Sequence, residues 1–281
     1  MYEAHFGLSE SPFGITPDTS FFFACASYQE ALNTLLLAAQ NGEGFIKVTG
    51  EVGTGKTLLC RKFLGGLDES FVTAYIPNPY LEPRTLLLAL ADELQIPLDK
   101  DVDQHHLLKQ LNLALLRHAE EGRRVLVCLD EAQAMPQESL EALRLLTNLE
   151  TEKRKLLQVV LFGQPELNVK LQQEQLRQIN QRITFHYNLS PLSRDELDYY
   201  LAHRLGVAGH RGGPLFESGA VRYLHRASGG VPRLVNILAH KALLLAYGEG
   251  RQNVVARQVR AAAIDTPASR RIPRWVWRFG V

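Results

Sequence analysis

Five short, predominantly apolar runs mark the longer, leading part of the chain: Phe45–Thr49, Phe71–Ile76, Val125–Leu129, Leu157–Phe162 and Ile183–Tyr187. Runs of this length rich in Val, Ile, Leu and Phe suit strands buried on both faces of a parallel sheet. Between them, Pro83–Leu94 and His105–Glu121 carry apolar residues at helical spacing. Leu107, Leu108, Leu111, Leu115 and Leu116 are expected on one face of the second. Strands alternating with helices predict an α/β layered fold: a five-stranded parallel sheet with right-handed crossovers. After Ser190-Pro191-Leu192 the strand signal stops. Arg194–Leu205, Glu217–Ala227, Arg233–Ala246 and Val254–Ile264 then predict helices separated by glycines, with Ser218 as a cap and Pro232 in a first turn. The expected division is an α/β domain over 1–190, a small all-helical domain over 191–265 and a distinct segment over 266–281.

Composition narrows this picture only a little. The 281 residues are 46% hydrophobic and 22% charged, the balance of an ordinary globular protein. A formal net charge of +1 provides no global attraction to nucleic acid or to an anionic membrane. Cys25, Cys60 and Cys128 are far apart and odd in number, without metal-ligand or disulfide spacing, and Cys60 and Cys128 are expected as buried thiols in a reducing cytoplasm. The start, Met1-Tyr2-Glu3-Ala4-His5, has no basic and apolar leader pattern, and no run of about 18 apolar residues predicts a membrane span.

The chemistry begins where the first strand ends. Residues 50–57 read Gly-Glu-Val-Gly-Thr-Gly-Lys-Thr, the G-x-x-x-x-G-K-[ST] phosphate loop between a strand and an expected helix, Leu58–Leu64. Gly50, Gly53 and Gly55 let the backbone wrap closely and turn N–H groups towards an anion, with Glu51, Val52 and Thr54 completing the loop. Lys56 is suited to the β- and γ-phosphates of ATP, Thr57 to Mg²⁺, and the helix start from Leu58 to the same anion. The third strand runs into Asp130-Glu131. Asp130 is expected to hold Mg²⁺ and Glu131 to act as general base towards water; a capping aspartate with a solvated glutamate is the bland alternative. Gln164, after the fourth strand, either orients water and senses the γ-phosphate or satisfies the turn before Pro165.

Arginines supply two further candidates. Arg177 and Arg182 lie on or beside the polar stretch Leu171–Gln181 ahead of the last strand, where one of them can serve a neighbouring subunit as an arginine finger. Arg233 follows Gly229-Gly230-Val231-Pro232 at a helix start, a place unfavourable to a cation unless an anion is near. His105-His106 point in different directions on a helix, and Lys153-Arg154-Lys155 sits beside Glu150 and Glu152; neither is expected to be a site.

Together these residues resemble the AAA+ ATPases, and within them the ExeA/GspA group associated with secretion and pilus assembly. The motifs are Ser11-Pro12-Phe13, Thr16-Pro17-Asp18, Phe21-Phe22-Phe23, Tyr28–Leu32, Gly50–Thr57, Leu129–Gln133, Leu161–Leu167 and Gly229–Arg233 with Asn236. The resemblance implies a P-loop NTPase fold of AAA+ type with a helical lid, and ATP with Mg²⁺ as ligands. It maps Gln164 onto sensor 1, Arg233 onto sensor 2, and Arg177 or Arg182 onto the finger. It also implies that the N-terminal segment 1–43, through Pro12, Phe13 and Tyr28, borders adenine.

The implied protein is a cytoplasmic ATPase, peripheral at the inner membrane through partners or its tail. It would form a homo-oligomeric ring or partial ring that works with pilus or secretion assembly proteins. A nucleotide-dependent recruitment scaffold, or a helper ATPase of DNA transposition or replication, is the rival reading. Nucleic acid is not expected as a partner. Longer members of the group continue into a membrane helix and a peptidoglycan-binding domain; here the sequence ends at Val281, so no wall-binding domain is expected. The Trp275/Trp277 tail with its arginines suits a lipid interface, a partner protein or the lid equally well.

Overall fold

A computed structural model of the chain describes residues 2–98, 103–148 and 155–270. The Trp275/Trp277 tail and Lys153-Arg154 lie outside the described residues. Two compact units emerge. One comprises Ala26–Glu51 and Lys56–Leu189; the other comprises Met1–Cys25, Val52–Gly55 and Ser190–Val281. Compared with the division expected from the pattern, Met1–Cys25 and the tip of the phosphate loop group with the helices rather than with the sheet.

The first unit is α/β. In chain order its elements are α1 (Ala26–Asn41), β1 (Phe45–Gly50), α2 (Lys56–Leu64), β2 (Phe71–Ile76), α3 (Pro83–Glu93), α4 (Gln104–Glu120), β3 (Arg124–Leu129), α5 (Gln137–Leu146), β4 (Leu157–Gly163), α6 (Glu166–Leu171), α7 (Arg177–Arg182) and β5 (Ile183–Leu189). All five strands run parallel in the order β2-β3-β4-β1-β5. β1 and β4 are buried along their whole length, as central strands of a parallel sheet are, with Lys47, Thr49 and Gln158 buried among their apolar residues. One face carries Phe45, Val125, Val127, Leu129, Val159 and Leu161, packed with leucines of α3, α4 and α5. α1 and α2 also pack on the sheet, against β5 and β4 respectively.

The five strands fall within two residues of their expected ends, because each is a local apolar run. On α4, Leu107, Leu111 and Leu115 are buried as expected, but Leu116 is 42% exposed: its direction has rotated off the apolar stripe. Cys60 and Cys128 are buried thiols.

The second unit holds α8 (Arg194–Val207), α9 (Ser218–Ser228), α10 (Pro232–Gly248) and α11 (Ala256–Ile264). Ser193 and Glu196 form a capping box on α8. Pro232 occupies the first turn of α10, where its missing N–H costs nothing. Ser218 is not a cap: Glu217 holds that position without a side-chain hydrogen bond, and Ser218 is the first helical residue. Among the described residues no helix is long and apolar enough to cross a membrane.

Candidate nucleotide site

Within the α/β unit, sheet order does the positioning. β3, β4 and β1 are neighbours, with Leu129 opposite Leu161 and Thr49 opposite Gly163. Asp130, Gln164 and Gly50 therefore stand at adjacent carboxyl ends of the strands, where open parallel sheets hold their ligands.

Lys56 opens α2 and is only 5% exposed. Its ammonium donates to the carbonyls of Gly50 (2.8 Å) and Glu51 (3.0 Å), so the loop grips its own lysine. Burial lowers the Lys56 pKa, opposed by the nearby charges of Glu131 and Asp130. Thr57 donates its hydroxyl to Asp130 Oδ2 at 2.5 Å. Asp130 is 2% exposed; burial raises its pKa, against the Thr57 hydroxyl and the Glu131 N–H, which donates to Oδ1 at 3.0 Å. Tyr75, at 3.4 Å from Asp130 Oδ2, has its phenol pushed up to about 12 by burial and by that carboxylate. Leu58 is half-buried in the first turn of α2, and Glu51 is exposed.

Glu131 has left-handed backbone angles, φ 53° and ψ 37°, an arrangement that costs a non-glycine residue about 1–3 kcal/mol. Its Oε2 accepts from two side-chain amides, Gln133 Nε2 at 2.6 Å and Gln164 Nε2 at 2.9 Å. Gln164 is thus directed at the expected base rather than spent on the turn before Pro165.

Elsewhere in this unit, Tyr28 is buried in α1. Arg177 opens α7, exposed; Arg182 closes it, half-buried, where the helix dipole favours a cation. Neither forms an ion pair among the described residues.

The helical unit holds the loop tip, Val52-Gly53-Thr54-Gly55. Val52 is exposed and Thr54 buried. Gly53 and Gly55 have φ of 83° and 94°, open to glycine but strained for other residues. Their N–H groups have no acceptor among the described residues, which suits a loop built to receive an anion. Arg233 lies against this tip, its backbone N–H donating to Gly53 O at 3.1 Å. Pro12 and Phe13 are buried in the same unit. Phe13 turns its ring edge-on to Phe216 at 5.9 Å.

Three residues have roles that local pattern did not disclose. Gln133 bridges Glu131 and Gln164. Arg204, 7% exposed, donates from Nε to Pro12 O and stacks on Phe21 at 4.6 Å. Asn236, one turn beyond Arg233, donates to Gly14 O at 3.1 Å and accepts from the Tyr200 hydroxyl at 2.8 Å. The arginine spacing in the α8 sequence could have suggested a buried cation only if its partner, the Pro12 carbonyl, were already known.

Within the α/β unit the donor set fits Mg²⁺ and phosphate: the Thr57 hydroxyl on the buried Asp130 carboxylate, and the buried Lys56 ammonium. Among the described residues no cluster of three or more His, Cys, Asp or Glu side chains forms a self-sufficient metal site, so an ion there would need oxygen ligands from elsewhere.

Residues 39–171 match a family model described as an AAA domain. The chain is 45% identical over 275 residues to General secretion pathway protein A of Aeromonas hydrophila, covering 98% of this chain and 50% of that protein. It thus spans about half the length of that relative. Among solved structures, Cdc6p from Pyrobaculum aerophilum aligns with a TM-score of 0.67 at 18% identity, over 94% of this chain and 74% of that one. The ORC2 protein of Aeropyrum pernix in ADPNP–ADP complexes gives 0.64 at 18%, over 95% and 75%. The RuvB Holliday junction branch migration motor of Thermotoga maritima gives 0.56 at 14%, over 90% and 73%. At these identities the structural likeness shows the fold. The chain has the AAA-type P-loop NTPase fold, matches an AAA domain model over residues 39–171, and is similar over nearly its whole length to General secretion pathway protein A.

Proposed function

We propose that the chain is a Mg²⁺-dependent ATPase of the ExeA/GspA kind, working in assembly of a type IV pilus or a secretion complex. Its finer identity in this reading is the ATPase of mannose-sensitive haemagglutinin (MSHA) pilus biogenesis, MshM. The observation that carries the enzymatic part is the Thr57–Asp130 contact at 2.5 Å beside a Glu131 carboxylate held by two amides.

The loop amides and Lys56 bind the phosphates. Thr57 and Asp130 hold Mg²⁺, which when bound neutralises developing charge on the phosphate oxygens. Glu131 takes a proton from water, and Gln164 keeps the carboxylate aimed. Arg233, anchored at the loop tip, adds positive charge to the phosphates. Arg182 or Arg177 serves a neighbouring copy, which implies a homo-oligomer whose sites are shared. Identity to General secretion pathway protein A supports work in secretion; a pilus role and a place at the cytoplasmic side of the inner membrane, reached through partners, belong to the proposal.

ATP turnover tests this. Glu131→Gln should lower kcat by about 10²–10⁴-fold while ATP still binds. Arg182→Ala should lower turnover and be complemented by mixing with a subunit defective only in Glu131. Undiminished turnover in both variants would overturn the mechanism. A recruitment scaffold would instead retain pilus or secretion function in Glu131→Gln cells. A DNA-directed reading draws on the solved relatives, which include ORC bound to DNA and RuvB. The net charge of +1 weighs against it, and salt-dependent duplex binding at physiological ionic strength would favour it.

A further inference from the structure

Gln133 makes two contacts at once with the candidate catalytic groups. Its Nε2 donates to Glu131 Oε2 at 2.6 Å, and its Oε1 accepts the backbone N–H of Gln164 at 3.0 Å. The two ends of this side chain therefore join the end of β3 to the end of β4. The amide has one compatible orientation. Reversed, its oxygen would face a carboxylate and its NH₂ would face an N–H, two repulsions in place of two bonds.

The surroundings fix this bridge on three sides. Gln133 lies in the short turn Ala132–Ala134 that follows the left-handed Glu131. The Lys170 ammonium donates to Gln133 O at 3.0 Å and also to Met135 O, clamping that turn from α6. Gly163, the last residue of β4, leaves the necessary space: a Cβ there would lie 3.2 Å from Gln133 Oε1 and 2.7 Å from Leu167 Cδ2. Gln164 closes the triangle by donating its own Nε2 to the same Glu131 oxygen at 2.9 Å.

We propose that Gln133 is a positioning residue for nucleotide hydrolysis, holding the Glu131 carboxylate and the Gln164 backbone as one unit. The inference rests on the ATPase reading above. A carboxylate at the end of a flexible side chain samples several rotamers. Two amide donors on one oxygen leave the other oxygen, Oε1, to meet water. Because Gln133 also holds the Gln164 backbone, a shift of the β4 end is transmitted to the carboxylate. Glutamine is suited to this role because the bridge needs a donor at one end and an acceptor at the other. Leucine has the size but neither function, and glutamate has no donor when ionised.

Steady-state turnover and ATPγS binding, measured on wild type, Gln133→Leu, Gln133→Glu and Glu131→Gln, test this. Gln133→Leu should lose about 10–100-fold in kcat, the cost of a misplaced catalytic group. Its ATPγS affinity should stay within about threefold of wild type, which also reports that it has folded. Gln133→Glu should lose at least as much kcat, because it adds a carboxylate against Glu131. Combining Gln133→Leu with Glu131→Gln should lower kcat no further than Glu131→Gln alone. A Gln133→Leu kcat within about twofold of wild type, with Glu131→Gln inactive, overturns the inference alone. Parallel loss of kcat and ATPγS binding in both Gln133 variants also overturns it, in favour of a merely structural side chain. Turnover undiminished in Glu131→Gln, or absent in wild type, overturns the ATPase reading and this inference with it.

Discussion

The backbone N–H of Arg233 donates to the carbonyl of Gly53 at 3.1 Å, tying the first turn of α10 to the tip of the phosphate loop. A helix leaves its first four N–H groups without internal partners. Pro232 removes one of these donors, and Gly53 satisfies another. The approach is so close that a Cβ on Gly53 would lie 2.7 Å from Arg233 Cβ and 3.2 Å from Val231 Cγ1.

Gly53→Ala should therefore displace α10 from the loop tip as well as strain a backbone at φ +83°. The left-handed strain alone is about 1–2 kcal/mol. ATPγS affinity should fall by about tenfold or more. Calorimetric titration finding wild-type affinity would show that the loop tip tolerates the new contact.

Gly206 offers the opposite outcome. It lies inside α8, with nothing within 4 Å of an added Cβ and a φ outside the left-handed region. Gly206→Ala should stabilise the protein by about 0.5–1 kcal/mol, through helix propensity and a less flexible unfolded chain. An unchanged or lower denaturant midpoint would contradict this.

Arg204 secures the segment containing Pro12 and Gly14. Its guanidinium donates to the Pro12 carbonyl, the Tyr200 hydroxyl (3.3 Å) and the Gly14 carbonyl (3.5 Å), and it lies over Phe21. Lysine cannot reproduce this planar, multi-donor contact. Arg204→Lys should cost about 2 kcal/mol in urea unfolding, the scale of a hydrogen bond to a charged group left unmade. A loss under about 0.5 kcal/mol would show that the segment holds without it.

Stability should fall between pH 7.5 and 5.5. Burial lowers the pKa of His186, where Lys47 adds to the effect, and of His240, where the Glu3 charge opposes it. Burial and the charge of Arg123 lower that of His118, against Glu121. Each folded-state value lies below the ordinary 6.5, so the unfolded chain binds more protons on acidification. Their contribution is present above about 6.5 and lost as pH falls through the folded-state values. Urea midpoints across this range should decline, less steeply in His186→Gln/His240→Gln. A flat profile would contradict the assignment.

The phosphate loop, the five strands and the Asp130-Glu131 pair were legible in the sequence because each is a local pattern. Apolar runs of strand length were followed by residues whose types suit one chemistry. Helices α1 and α5 are not among the elements the pattern predicts. α1 buries Ala31, Ala38 and Ala39, small residues that weaken the apolar contrast, and α5 is a short helix after Met135-Pro136.

The tertiary structure decided what each side chain meets. Gln133 reads as one more polar residue after a strand, until the β3–β4 pairing brings Gln164 to its other end. The resemblance implies that Phe13 borders adenine; what folding adds is Phe216, more than two hundred residues later, set edge-on to its ring. Arg204 lies on the buried stripe of Leu197, Tyr200, Leu201 and Leu205, where a cation is out of place until the Pro12 and Gly14 carbonyls accept its donors. Strand-forming tendency and loop chemistry are properties of consecutive residues. A buried amide or guanidinium has its function set by partners that only folding brings within hydrogen-bond reach, and those partners left no periodic trace in the chain.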